Sequence, residues 1–374
     1  MEIAFWVSFV LVFYIYLGYA LILLILYTFS RKSNPKPLRA NPFISVLIPI
    51  HNGAEFVAGK LKSIKDNGYP LNKMEILIGL DACSDSSLQE VMKWEKEFPY
   101  FKVFNYAQKI NKGGVLNRLV SFASGTLFVF TDVRQRLKKG AIRSLIEKFS
   151  DSSVGVATGE LILLDSEGGP EGLGLYWKFE KVIRYLESEM DSVCGATGAL
   201  YVIRRNCVSK DMPDSVLLDD VYLPMNAVKR GKRILFCPDA VVYDMLKSDT
   251  VEFRRKVRTL LGNWQLIGLL PWLLDPFQNR IFFQYFSHKV LRLISPLCLI
   301  VLYASSVFLC GKNMFYEAFF ITQNIFYAFS AAGFYLNPLK KGILGLPYSF
   351  VLLNIAAWIA LSKAVRNDFS VDWR

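Results

Sequence analysis

Two carboxylates at the ends of apolar runs are the residues of this chain best placed to do chemistry. Gly125-Thr126-Leu127-Phe128-Val129-Phe130-Thr131 is a mostly apolar stretch that stops abruptly at Asp132, and Met74-Glu75-Ile76-Leu77-Ile78-Gly79-Leu80 stops the same way at Asp81. Runs of this kind read as strands covered on both faces, with only the carboxyl end meeting solvent. Ligands of open α/β sheets bind at that end. Lys112 stands before Gly113 and Gly114 at the opening of a helical pattern. Two acids, a lysine and a helix N-terminus together suit a nucleotide diphosphate and its metal ion. The acids would take base, ribose or cation, and the lysine would neutralise phosphate. Taken singly, Asp132 reads as well as a solvated strand end.

A second group lies further along. Val216-Leu217-Leu218-Asp219-Asp220-Val221-Tyr222-Leu223 sets adjacent carboxylates in an apolar frame, which is costly unless they face a cation, a helix N-terminus or a substrate. At a helix start they would be ordinary capping residues. In a partly apolar cleft, a carboxylate has its pKa raised and can act as a general base. The small residues of Cys194-Gly195-Ala196-Thr197-Gly198-Ala199 let a ligand approach the backbone, or else form a turn into an edge strand. Arg255 and Arg258 share a helix face at i, i+3, beside phosphate or on a membrane surface. No G-x-x-x-x-G-K-[ST] occurs, and no G-x-G-x-x-G follows the first strand, which disfavours P-loop and dinucleotide chemistry. The six cysteines form no C-x-x-C pair, so reduced thiols fit better than a zinc or disulfide framework.

The elements needed to position these residues recur in order. Phe43 to Ile50 reads as a first strand broken at Pro49, which cannot donate to a ladder, and it passes into His51-Asn52-Gly53-Ala54-Glu55. A helical pattern through Lys60 to Ile64 leads to the strand ending at Asp81. A helical Leu88 to Phe98, a weaker strand at Phe101 to Asn105 and a helix from about Val115 to Ala123 then lead to the strand ending at Asp132. Strand, polar loop and helix in repetition predict a parallel sheet with crossover helices. Val154 to Leu164 reads as a further strand. Gly168-Gly169-Pro170 follows as a break, then an amphipathic helix from Tyr176 to Met190 carrying Glu180, Glu187 and Glu189.

Hydrophobic residues make up 53% of the 374 positions, and the excess is concentrated. Phe5 to Phe29 is long enough to cross a bilayer of roughly 30 Å. Arg31, Lys32, Lys36 and Arg39 follow it, which predicts an uncleaved anchor with the chain after it in the cytoplasm. Asn34-Pro35-Lys36-Pro37 is a stiff linker. Three further candidate spans run from about Val290 to Leu309, Met314 to Tyr335 and Ile343 to Leu361, with Lys340 and Lys341 between the last two. Leu266 to Leu274, with Trp264 and Trp272, looks interfacial. The net charge of +12 is read first as attraction to anionic head groups. No basic run interleaved with aromatics supports nucleic-acid binding.

In this order the pieces resemble a membrane-bound family 2 glycosyltransferase, a nucleotide-diphospho-sugar transferase of GT-A fold. Val46-Leu47-Ile48-Pro49-Ile50-His51-Asn52 is similar to the family's first strand and turn, with His51 where an aromatic is usual. Asp81-Ala82-Cys83-Ser84-Asp85 is similar to the Asp-Gly-Ser-Thr-Asp loop, whose first acid contacts the base. Lys112-Gly113-Gly114-Val115-Leu116-Asn117 resembles the Lys-x-x-x-Leu-Asn segment near the diphosphate. Asp132-Val133-Arg134 falls on the D-x-D position. Asp219-Asp220 falls on the acidic pair whose second member is the base, and Arg255 to Arg258 on the Q-x-x-R-W region. Ser287-His288-Lys289 to Arg292 resembles the entry to the C-terminal spans.

The resemblance implies an α/β fold of GT-A type: a mostly parallel sheet flanked by helices, with one N-terminal and about three C-terminal transmembrane helices. The divisions expected are an anchor over 1–30, a linker over 31–42, the cytoplasmic transferase domain over 43–250, interfacial helices over 251–288, and spans with a tail over 289–374. It implies Asp220 as catalytic base beside Asp219. Nucleotide-sugar binding would fall to Pro49, His51, Asn52, Asp81, Lys112, Asp132, Arg134, Arg255 and Arg258. Gly195, Thr197, Gly198 and Trp264 would line an acceptor pocket. Mg²⁺ or Mn²⁺ would sit on Asp132 alone, because position 134 is Arg and the second D-x-D carboxylate is missing; alternatively Arg134 supplies charge to the phosphates. The expected partners are a nucleotide-diphospho-sugar, a lipid-linked or glycan acceptor and the inner or plasma membrane, in cell-envelope polysaccharide or glycolipid synthesis. A processive synthase is the enzyme alternative, disfavoured because the Trp of Q-x-x-R-W is replaced by Thr259. A nucleotide-binding membrane scaffold is the non-enzyme alternative.

Overall fold

The computed structural model describes residues 1–29, 40–164, 175–209, 211–336 and 342–370. The bases Arg31, Lys32, Lys36 and Arg39, the Asn34–Pro37 linker, Gly168-Gly169-Pro170, Lys340, Lys341 and Arg374 lie outside them. Eight strands form one sheet: β1 (Ile44–Ile50), β2 (Met74–Asp81), β3 (Phe101–Tyr106), β4 (Leu127–Phe130), β5 (Arg136–Leu137), β6 (Val154–Leu164), β7 (Tyr201–Arg204) and β8 (Arg233–Met245). Their order is β3-β2-β1-β4-β7-β6-β8-β5. All residues of β1, β2 and β4 are buried, as continuously apolar parallel strands require.

Side-chain alternation divides the core in two. Ile44, Val46, Ile48 and Ile50 face the helices Ala54–Lys65 and Ala141–Glu147, whereas Leu47, Leu77 and Phe128 face Asn111–Phe122 and Asp219–Lys229. The parallel half ends at β4. From there β7 runs antiparallel to both β4 and β6, β6 and β8 pair in parallel, and β5 closes the edge antiparallel to β8. The strand–loop–helix repeat therefore predicts only the first half. The second half is mixed because β7, which follows the helix Leu175–Met190 and the Cys194–Leu200 loop, runs against both of its neighbours.

The carboxyl ends of the parallel strands β1, β2, β3 and β4 open on one side, and the turns that leave the first three are strained there. Asn52, Ala82 and Asn111 all adopt positive φ, at 48°, 47° and 61°, a region costly for residues with a Cβ and typical of functional turns. Asn52 stabilises its turn by accepting from the Ser84 N–H at 2.8 Å, and Asp85 accepts from the Ala54 N–H at 3.0 Å.

Three helices among the described residues are long and apolar enough to cross a membrane: Glu2–Thr28, Phe282–Leu309 and Leu346–Val365. The helix Met314–Tyr335 is 22 residues long but carries Glu317, Thr322, Gln323 and Asn324, and falls outside that group. The expectation of three C-terminal spans is thus met by two. The first of them begins earlier than expected, so part of the expected interfacial segment is its first turns. Phe5 packs with Leu302, Leu309 and Tyr316 inside this layer. A polar clamp joins it to the sheet domain. Glu187, on the helix Leu175–Met190, accepts from the Tyr19 hydroxyl at 2.7 Å and meets His288 Nδ1 at 2.8 Å. Glu180 meets His288 Nε2 at 2.7 Å and accepts from Arg292 at 2.7 Å.

The entry to β4 is closed by backbone on one side. A Cβ on Gly125 would stand 2.6 Å from the Ser45 backbone nitrogen and 2.8 Å from the Ile44 carbonyl carbon, and neither backbone atom can move without opening the β1–β4 ladder. Gly125→Ala is expected to cost about 1–3 kcal/mol, read as a lower thermal unfolding midpoint of the purified protein.

Candidate functional site

Lys112 stands in the first turn of the helix Asn111–Phe122, beside the ends of β2 and β4. Its Nζ lies 2.8 Å from Asp132 Oδ1 and 3.1 Å from Asp219 Oδ1. Burial pushes the Lys112 ammonium toward its neutral form, but the carboxylates of Asp132, Asp219 and Asp220 outweigh this and raise its pKa. Burial would likewise raise Asp132, yet Lys112, Lys60 and Arg258 hold its pKa below the ordinary value. The result is a fixed positive point between two carboxylates.

Asp220 differs from its neighbours. It opens the helix Asp219–Lys229 and its Oδ2 accepts from the Gly198 N–H at 2.9 Å. Burial and the charges of Asp219 and Asp132 raise its pKa to about 6, with Lys112 and the Gly198 N–H opposing. Asp132 Oδ2 and Asp220 Oδ2 flank Gly198, at 3.6 Å and 3.3 Å from where its Cβ would be. A Cβ at 198 would therefore crowd Asp220 and touch Asp132. Divergent pKa values in neighbouring carboxylates separate an ionised anchor from a group able to take a proton.

Asp81 is buried at the end of β2. Its Oδ1 accepts from the Ile110 N–H at 2.7 Å, while its Oδ2 has no hydrogen-bond partner among the described residues. A buried carboxylate oxygen left unpaired is costly, and a ligand N–H would satisfy it. His51 Nδ1 lies 2.6 Å from the Asp81 carbonyl, so the turns after β1 and β2 are tied together, with Pro49 buried in β1 behind them. Gly113 and Gly114 have a role other than close ligand approach. Their hydrogens face the Pro213 and Asp214 carbonyls and the Asp214 carboxylate, and a Cβ at either position would stand 2.8–3.0 Å from these groups.

Arg134 is engaged elsewhere than at a phosphate. Its guanidinium grips Asp244 of β8, with Nε at 2.9 Å from Oδ1 and Nη2 on Oδ2, and Gln135 donates to the same carboxylate at 3.0 Å. Arg258 Nη2 donates to the Leu217 carbonyl at 3.2 Å and lies close enough to lower the Asp132 pKa. Arg255 pairs with Glu252 at 2.9 Å. Gly195 and Thr197 line a cavity of about 580 Å³ together with Asp220 and Arg255. Trp264 packs against the core that includes the helix Asp219–Lys229 and stands outside the lining of that cavity.

Sequence reasoning misses two functional neighbours. Lys60 is fully buried under Asp132. Burial pushes its pKa down to about 7, against the charges of Asp132 and Asp244, and it donates to Thr131 Oγ1 at 2.8 Å. A signal for it exists, since Lys60 shares a helix face with Val57, Leu61 and Ile64 at helical spacing. Asp244 is an acid inside an otherwise apolar strand end, a pattern that alone names no partner.

Residues 45–210 match the model of the family described as Glycosyl transferase family 2. The chain is 23% identical over 278 residues to "Probable glycosyltransferase YdaM" of Bacillus subtilis, covering 69% of this chain and 65% of that protein. It is 21% identical over 211 residues to "Poly(ribitol-phosphate) beta-glucosyltransferase" of Bacillus spizizenii, covering 55% of this chain and 32% of that protein. It thus spans under two thirds of the length of these relatives. Among solved structures, a mannosyltransferase from Pyrobaculum calidifontis in complex with GDP-Man and Mn²⁺ aligns with a TM-score of 0.74 at 16% identity, covering 97% of this chain and 99% of that one. At that identity the likeness establishes the fold.

The Arg134–Asp244 pair generates a test of its own. Arg134→Leu leaves the buried Asp244 carboxylate with only Gln135, and is expected to cost about 3 kcal/mol of stability. The double variant Arg134→Leu/Asp244→Leu should recover most of that loss. Equal melting of wild type and Arg134→Leu would show the pair to be structurally idle.

Proposed function

We propose that this chain, whose residues 45–210 belong to glycosyl transferase family 2 and whose fold is GT-A, transfers a sugar from a nucleotide-diphospho-sugar to an acceptor hydroxyl at a membrane, with inversion. The observation that carries this reading is Asp220: a carboxylate with a pKa near 6, oriented by the Gly198 N–H, beside a Lys112–Asp132 pair and lining a large cavity. Asp220 takes the proton of the acceptor hydroxyl. The oxygen forms a bond to the anomeric carbon as the bond from that carbon to the donor's phosphate oxygen breaks, and the nucleoside diphosphate leaves with the electron pair.

Lys112 and Arg258 place positive charge where the diphosphate develops negative charge, which favours the transition state over the ground state. Asp81 Oδ2 is the acceptor available to a base N–H. The donor set also fits a hard divalent cation. Asp132 has one oxygen on Lys112 and turns the other toward Gly198, so Mg²⁺ or Mn²⁺ would take one protein carboxylate and otherwise diphosphate or water oxygens. When bound, such a cation supplies charge neutralisation to the leaving diphosphate. Arg134 is committed to Asp244, which supports a single-carboxylate site without charge from residue 134.

The apolar helices support a reaction at a bilayer. Bases at the start of the span Phe282–Leu309, Lys289 and Arg292 among them, support a cytoplasmic sheet domain over 43–250 on an inner or plasma membrane. Cell-envelope glycolipid or polysaccharide synthesis is the setting this implies. A single transfer has more support than processive synthesis, because Thr259 stands where the processive pattern has Trp.

Asp220→Asn is expected to lower transfer by about 10³-fold while nucleotide-sugar binding, followed by isothermal titration, stays within a few-fold. Full activity in that variant would remove Asp220 from the role of base. The base must be ionised, so the rate should fall as pH drops through about 6, and a profile flat across that region would contradict the assignment.

A further inference from the structure

The polar clamp between the sheet domain and the apolar layer holds more than its hydrogen bonds account for. His288 stands in the first turns of the span Phe282–Leu309, with Nδ1 2.8 Å from Glu187 Oε1 and Nε2 2.7 Å from Glu180 Oε1. A neutral imidazole has one N–H, so it donates to one of these carboxylates and turns a lone pair on the other. Glu187 is fully buried. Its Oε1 accepts from the Tyr19 hydroxyl at 2.7 Å, while its Oε2 has no hydrogen-bond partner among the described residues. Cys194, also buried, brings its Sγ to 4.0 Å from Glu187 Oε1.

The ligand-capable atoms of Cys194, His288 and Glu187 all lie within 4.8 Å of one another. Thiolate, imidazole and carboxylate are ligand types of zinc, bound at about 2.3, 2.0–2.1 and 2.0–2.2 Å. Ligands at those lengths on a tetrahedral ion stand about 3.4–3.6 Å apart. The Cys194–Glu187 separation of 4.0 Å would close, and the His288–Glu187 contact of 2.8 Å would open, each by about half an ångström. The carboxylate behind the ring is already in place. A metal-ligating histidine donates its other N–H to such a group, and Glu180, fixed by Arg292 at 2.7 Å, stands on Nε2.

Charge decides which ion fits. Arg184 and Lys289 line the same cavity as these three residues, so a site whose ligands left the ion positive would be opposed. One thiolate and one carboxylate carry two negative charges against a dication. Sulfur and imidazole favour zinc over Mg²⁺ or Mn²⁺, which take oxygen ligands.

We propose that Cys194, Glu187 and His288 form a zinc site, with Glu180 as the carboxylate that orients His288. The ion binds the Cys194 sulfur, His288 Nδ1 and a Glu187 oxygen, and the thiol proton leaves to solvent. A water from the cavity that all three residues line takes the fourth position. The ion joins the helix Leu175–Met190, the Cys194–Leu200 loop and the span carrying His288. Gly198, whose N–H holds Asp220, is four residues beyond Cys194, so the ion fastens that loop to the apolar layer. The site is separate from the cation at Asp132 and does not rest on the transferase reading.

The test uses the untagged full chain in phosphatidylcholine nanodiscs, stripped with a chelator, loaded with Zn²⁺ or Co²⁺ and desalted. One zinc per chain should remain by atomic emission. Cobalt should give a thiolate-to-metal charge-transfer absorption that added zinc abolishes. Excess Mg²⁺ should not displace the cobalt, and Asp132→Asn should leave its spectrum unchanged. Cys194→Ser should remove the band and weaken zinc at least about 100-fold, and Glu180→Gln should weaken zinc about 10–100-fold. Cys310→Ser, at an exposed cysteine, should alter neither.

A wild type without the charge-transfer band would overturn the site, as would a band that survives Cys194→Ser. Displacement of cobalt by Mg²⁺, or its loss in Asp132→Asn, would move the ion to the donor site instead. Should Cys194→Ser fail to fold, Cys194→Ala and Glu180→Gln carry the same test, and wild-type zinc affinity in either would sink the proposal.

Discussion

A single ammonium group holds the two halves of the site in register. Lys112 comes from the helix after β3, Asp132 from the end of β4, and Asp219 from the helix that begins after β7; Lys112 Nζ touches both acids. Without that cation, three carboxylates would share a buried space and repel one another. With it, Asp132 and Asp219 are compensated, and Asp220 alone is left with a raised pKa. The functional division among the acids follows from which of them the lysine reaches. Removing one member of such a buried network typically costs about 3–5 kcal/mol, so site and fold depend on the same contact.

The sheet provides the reach and the long apolar helices provide the second wall. A buried clamp of Tyr19, Glu180, Glu187, His288 and Arg292 binds the helix Leu175–Met190 to two apolar spans. That helix also lines the cavity beside Asp220. Charged hydrogen bonds in a poorly solvated layer fix geometry closely, because slipping by one turn would leave ions unpaired. The cavity is therefore bounded by elements that cannot move apart without breaking the clamp.

Much of the candidate site is legible because strand ends are legible. The apolar runs finishing at Asp81 and Asp132 are the buried strands β2 and β4, and both acids stand at their carboxyl ends. Asp219 and Asp220 do begin a helix, as the capping alternative has it, and Asp219 also meets Lys112. The helix-start position and the contact with Lys112 occur together. Arg134 is less legible, because its charge is cancelled by Asp244, 110 residues away and on a strand whose place at the far side of the sheet no local pattern fixes. Trp264 is misplaced by sequence reasoning for a similar reason. Its helix carries apolar residues on more than one side, and only packing against the core selects which of them is covered.

The sequence by itself determined the strands, the identities of the acids and their order, because burial of continuous apolar runs and the polarity of their ends are local properties of the chain. It also determined that several segments would seek hydrocarbon. Tertiary structure decided the pairing. Which carboxylate takes Lys112, which is left near pH 6, where the guanidinium of Arg134 goes, and how seven lysines and arginines come to line one cavity with Asp220 all depend on contacts between residues far apart in the chain. Electrostatic energies fall off with distance through space and not along the chain. The stretch from Leu127 to Asp132 could be read as a strand with an acid at its tip, but the meaning of that acid was set by the lysine the fold brought to it.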